Sequence, residues 1–221
     1  MGYNWNWELA FTYLPDFAWG LLVGLAMALF SLIIGSAVGL GAAALSLRPS
    51  RTLRLLVRAY VEVVRNVPIL LWAYFAFYGL PHLGITFLDN LWSFIVALSV
   101  YAGAYLTEVF RGGLSSIPER YTEAGRAMGL TARQRIRLIT LPLMFRIVLP
   151  SLTNSFISLF KDTSVAAALA VPEITYAAQY MNVNTFRVLE AWLIASVIYL
   201  VVGYALAFGF RAFERRYRLM G

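Results

Sequence analysis

Lys161, Asp162, Thr163 and Ser164 stand together in a stretch, Ile147 to Val171, that is otherwise uncharged. An ammonium and a carboxylate in so apolar a segment are costly to hold away from water, so they mark either a binding function or a buried bracing network. Neighbours in sequence point in different directions on a helix, which makes a direct Lys161–Asp162 bridge awkward. The chemistry on offer is recognition of a charged solute. Asp162 suits a substrate ammonium, Lys161 a carboxylate or a neighbouring span, and Thr163 or Ser164 an added hydrogen bond. Asn154 lies on the same segment and is a further candidate. Arg65 is another; it stands three residues from Glu62, the spacing of a helix-face pair. Pro68 just beyond removes a backbone hydrogen bond and predicts a kink. Glu108 and Arg111 repeat the spacing and read as a structural pair.

Other chemistry has no foothold. There is no G-x-x-x-x-G-K-[ST] sequence to cradle a phosphate and no H-E-x-x-H zinc motif. The chain has no cysteine and one histidine, His82, so thiolate chemistry is excluded and no Ser-His-acid set is apparent. The chain reads as a non-enzyme with no cofactor or metal of its own.

These residues must be positioned by membrane-spanning helices. The chain has 221 residues, of which 61% are hydrophobic and only 13% charged; its mean hydropathy is +0.71. A span needs about 20 apolar residues. The pattern predicts an all-α, polytopic membrane protein, one transmembrane domain over 1–221. Its five spans fall at about 17–47, 55–80, 88–110, 141–171 (interrupted) and 189–210. Gly20-xxx-Gly24 and Gly35-xxx-Gly39 on the first span are the small-residue pairs that let helices approach closely in lipid. The first 16 residues hold Glu8 and Asp16 but no Lys or Arg, so the basic start of a cleavable leader is missing and the first span is expected to persist.

The net charge of +7 is explained by arginines at 48–58, 111–146 and 211–218, not by a nucleic acid partner. The N-terminus, 81–90 and 172–188 are poor in positive charge. The two sets alternate across five spans, which predicts an N-terminus outside, a C-terminus in the cytoplasm and 172–187 as an external polar stretch.

Between the third and fourth spans, 115–140 predicts a cytoplasmic helical hairpin. Ser116-Ile117-Pro118-Glu119 fits a capping box opening a helix from Ile117 to Met128. Gly129 falls where a left-handed residue closes a helix. Thr131-Ala132-Arg133-Gln134 fits a second capping box. Ile117, Tyr121, Ala124 and Met128 form an apolar stripe on the first helix.

Glu123, Ala124, Gly129, Ile139, Leu141 and Pro142 have the spacing Glu-Ala-x-x-x-x-Gly, nine residues, Ile-x-Leu-Pro. This resembles the EAA motif of permease subunits of bacterial ABC importers, with Gly125 where the motif usually has Ala. Arg65-Asn66-Val67-Pro68, Glu108 to Gly113, Lys161-Asp162-Thr163-Ser164 and Val171-Pro172-Glu173 resemble motifs of the polar amino acid branch, and the likeness runs over about 17 to 215. The resemblance implies a multi-pass subunit of the bacterial inner membrane that forms the path for a polar amino acid. It implies a second permease copy or a related permease, two cytoplasmic ATPase subunits that bind the ATP and Mg, and an extracytoplasmic solute-binding protein. The hairpin would be the coupling helix, with Tyr121, Glu123, Ala124, Gly125, Arg126, Met128 and Gly129 meeting the ATPase. The rival reading is a secondary transporter driven by an ion gradient, with the intramembrane charges as carriers; the chain shows no inverted repeat in its favour.

Overall fold

The computed structural model describes residues 3–217, the last three of them by backbone alone. Arg218 and the side chains of Arg215 and Arg216, part of the expected basic tail, lie outside the described residues. The elements are α1 (Trp7–Phe11), α2 (Leu14–Ser46), α3 (Arg51–Asn66), α4 (Ile69–His82), α5 (Asn90–Ser115), α6 (Glu119–Ala127), α7 (Ala132–Leu169), α8 (Ile174–Thr185) and α9 (Val188–Tyr217). No strand occurs among the described residues. By length and composition α2, α5, α7 and α9 can each cross a membrane, and α3 with α4 passes the same test together as a bent pair, which makes four spans or five.

The expected kink at Pro68, within the segment 55–80, is a full break between two helices. The α3 and α4 axes differ by 103°. Pro68 has no N–H to continue a helix, and its ring pushes the preceding residue out of the helical region. Val67 and Pro68 are accordingly extended, at φ −105°, ψ 132° and φ −57°, ψ 140°. The Trp72 indole N–H donates to the Val64 carbonyl at 3.3 Å and ties the two arms across the bend. On α3 the charged residues 51, 54, 58, 62 and 65 recur at helical spacing, while Val61 and Val64 are buried.

The core forms where α2 lies along α5. A Cβ at Gly39 would stand 2.9 Å from the Leu106 backbone, and one at Gly35 2.8 Å from Ala102. Glycine here removes the side chain that would hold the helices apart, so more of both surfaces makes van der Waals contact. Gly20 meets the Glu173–Ile174 backbone in the same way. Both small-residue pairs of the first span thus pack inside the chain.

The stretch 172–187 is not an open polar loop. It holds α8, whose Ile174, Ala177, Ala178 and Met181 are buried at helical spacing while Gln179 and Asn184 face outward. Its N-cap is Glu173, a fully buried carboxylate that accepts from the Thr175 and Tyr176 N–H groups at 2.9 and 2.8 Å and from the Tyr199 hydroxyl at 2.8 Å. Burial pushes the Glu173 carboxyl above its usual range, and these donors pull the other way. Glu190, buried at the start of α9, accepts from the Asn6 N–H at 2.9 Å and from the Tyr3 hydroxyl. The N-terminal segment is thereby tied to the last span.

Candidate functional site: a polar cavity and an exposed hairpin

Asp162 closes the α-helical part of α7; from Thr163 to Leu169 the helix tightens to 3-10 geometry. It lines a cavity of about 350 Å³ between α5 and α7 with Asn154, Ser155, Ser158, Tyr101 and Tyr105. Asn154, Ser158 and Asp162 are four residues apart in turn, so one face of α7 carries them all. The facing Tyr101 and Tyr105 are also four apart, and their hydroxyls lie 3.1 Å from each other. A carboxylate, an amide and four hydroxyls converge in a space of small-solute size. This α5 face escaped the sequence reading, although the Tyr-x-x-x-Tyr spacing was visible.

Four candidates are not among the residues lining that cavity. Lys161 is exposed on another side of α7. Thr163 is buried, its hydroxyl donating to the Phe160 carbonyl at 2.6 Å against Gly24 of α2. Ser164 belongs to the 3-10 turn. Arg65 lines a second cavity, of about 430 Å³, with Arg54, Arg58, Glu62, Glu108 and Arg111. The expected Glu62–Arg65 pair does not form within ion-pair distance; Glu108 and Arg111 do pair. Among the described residues no three His, Asp or Glu side chains gather to hold a metal ion.

The hairpin forms by local rules. Gly129 has φ +76°, a region costly for any residue with a Cβ. Its N–H donates to the Arg126 carbonyl at 2.9 Å, and the Leu130 N–H to the Gly125 carbonyl at 3.0 Å, the Schellman pattern that satisfies the last carbonyls of α6. The Thr131 hydroxyl accepts from the Gln134 N–H at 3.3 Å and the Gln134 side chain accepts from the Thr131 N–H at 2.8 Å, completing the second capping box.

The first capping box does not form. Ser116 remains the end of α5, its hydroxyl donating to the Gly112 carbonyl at 2.8 Å, and Pro118 is the N-cap of α6 without a side-chain bond. Pro118 disfavours helix at Ile117, which moves the start to Glu119. Gly125 is buried; a Cβ there would stand 2.8 Å from the tip of the Ile139 side chain, which would have to shift to admit the motif's usual alanine. Glu123, Ala124 and Arg126 are exposed, as are Tyr121 and Met128, the last at 69%. Ile117 packs inward, so the outer stripe is Tyr121, Ala124 and Met128.

A broken-span bundle with an exposed, capped hairpin between two spans is the geometry against which similarity must be weighed. Residues 35–219 match the family model described as binding-protein-dependent transport system inner membrane component. The chain belongs to this family of importer permeases. The Bacillus subtilis (strain 168) probable glutamine ABC transporter permease protein GlnP is 36% identical over 204 residues, 90% of this chain and 93% of that protein. The Escherichia coli (strain K12) glutamine transport system permease protein GlnP is 35% identical over 165 residues, 73% of this chain and 74% of that one. The crystal structure of an amino acid ABC transporter with histidines superposes with a TM-score of 0.87 at 26% identity, covering 97% of this chain and all of that one. The permease is therefore a multi-span membrane subunit of an ABC importer rather than an enzyme. An ion-gradient carrier is set aside by that membership.

Proposed function

We propose that this permease forms half of the path for a polar amino acid, pairs with a second copy or a related permease, and is worked by two ATPase subunits that grip the α6 hairpin. A binding protein delivers the solute on the opposite face. The observation that carries the substrate reading is the Tyr101–Asp162 cavity. Its one carboxylate suits the ammonium common to all amino acids, while Asn154, Ser155 and Ser158 supply hydrogen bonds to the rest of the solute. Relatives named for glutamine, cystine and arginine support a polar amino acid as the solute.

The coupling reading rests on the hairpin. Tyr121 and Met128 present exposed apolar surface, Glu123 and Arg126 flank it with charge, and Gly129 lets another backbone come close. This set suits a cleft on a soluble partner. The alternation of arginine-rich and arginine-poor segments supports a hairpin in the cytoplasm and an N-terminus outside. The whole 1–221 chain then acts as one permease domain, in the inner membrane of a bacterium.

The test is reconstitution of the permease with its ATPase and binding protein in liposomes. Uptake of labelled glutamine or a similar solute must require ATP and all three components. Uptake driven by a proton gradient without the ATPase would refute the proposal.

A further inference from the structure

Two separate cavities are each lined in part by α5. Tyr105 faces the Tyr101–Asp162 cavity, and Glu108, three residues on, faces the arginine-lined one. Residues three apart share a helix face, so the cavities are stacked along it. Arg65 bears on both. It lines the second cavity, yet its guanidinium lies 4.7 Å from the centroid of the Tyr105 ring, a residue of the first. The Tyr101 hydroxyl meets the Tyr105 hydroxyl from the other side.

Arg65 makes no ion pair, although Glu62 and Glu108 line the same cavity. Among the described residues the ion pairs are Arg111 with Glu108 and Arg187 with Glu190. A cation on a ring face is a weak contact that opens at modest cost. Arg65 also lies three residues before Pro68, where α3 and α4 meet at 103°. Trp72 of α4 is bonded to Val64 of α3, which links the α4 arm to the residue beside Arg65. Hinges of this kind, a few residues at element ends, are where spans change angle in transport.

We propose that Arg65 is a gating residue: stacked on Tyr105 it parts the substrate cavity from an inner exit chamber, and a change in the α3–α4 bend withdraws it and joins the two. The chamber carries Arg54, Arg58 and Arg111 with Glu62 and Glu108, so a departing zwitterion meets groups of both signs. The inference rests on reading the Tyr101–Asp162 cavity as the substrate site.

The test uses the full complex of permease, ATPase and binding protein in liposomes, with Arg65→Gln and Tyr105→Leu made singly and together. One readout is amino acid flux across complexes arrested with ATP and vanadate; the other is solute moved per ATP hydrolysed. Each single variant is expected to raise arrested flux and lower the ratio about three- to tenfold, the range one cation–π contact supports. The double variant should add little, since both substitutions open one contact. Arg65→Lys keeps a cation over the ring and should restore part of the tightness, which a mere packing defect would not allow. Wild-type flux and ratio in both single variants, in complexes that still assemble and hydrolyse ATP, would overturn the gate. So would a double variant whose effect is the product of the singles. Asp162→Asn in parallel separates the two readings. An unchanged KM there with leaky Arg65→Gln removes the substrate site alone; a raised KM with tight Arg65 and Tyr105 variants removes the gate alone.

Discussion

The hairpin and the cavity are built in opposite ways. From Glu119 to Gln134 the capping hydrogen bonds join residues within a few positions of one another: the Schellman bonds at Gly129 and Leu130, and the Thr131–Gln134 box. The cavity has no such local code. Tyr101 and Tyr105 on α5 meet Asn154, Ser158 and Asp162 on α7 only because α2, through Gly35 and Gly39, packs α5 into the bundle and α7 follows. A protrusion held by its own local caps suits a surface that must push against another protein. A site assembled from separate helices suits a passage that must open and close as those helices move.

This contrast makes separable predictions. The largest effect is expected for Gly129→Val, which forces a β-branched residue to positive φ at a cost of about 1–3 kcal/mol. Solute-stimulated ATP hydrolysis and uptake in the reconstituted complex should fall about tenfold or more, while affinity for the solute stays put. A shifted KM with normal coupling would break the comparison. Asp162→Asn should act the other way. Losing a charge-assisted hydrogen bond of about 1.5–3 kcal/mol raises KM for uptake by about tenfold or more, and co-purification of the ATPase should be unaffected.

Gly39→Val leaves the hairpin alone and acts on the α2–α5 packing behind the cavity. A Cβ there overlaps the Leu106 backbone, so overpacking of about 1–3 kcal/mol should lower the thermal midpoint of the purified complex. If midpoint and KM both hold, the α2–α5 contact is looser than described. Thr131→Ala should be mildest: loss of the cap costs about 1 kcal/mol, read as a few-fold weaker pull-down of the ATPase with unchanged KM.

The same contrast explains what the sequence could disclose. Gly129 and the Thr131 box were legible because caps and left-handed turns are written in adjacent residues. The Ser116 box misled because the motif spacing was present, yet Pro118 and the end of α5 claimed those residues first. Asp162 and Asn154 stood out as polar groups in an apolar span, and both line the cavity. Lys161 and Thr163 stood out equally, but which way each points depends on the helix phase relative to α2 and α5. The 103° break was foreshadowed by Pro68 as a kink, but its size depends on how α4 packs. α8 was hidden because its polar outer face lowers the mean hydropathy, although Ile174, Ala177, Ala178 and Met181 carry the helical period.

The central claim is that this permease is a passive conduit gripped through α6 by a separate ATPase. The chain has no cysteine, so Met128→Cys places a single thiol in the permease at an exposed point of the hairpin. A membrane-impermeant maleimide applied to oriented vesicles should label that thiol only from the cytoplasmic face, and added ATPase should protect it. Labelling from the opposite face, or full labelling in the assembled complex, would contradict the account.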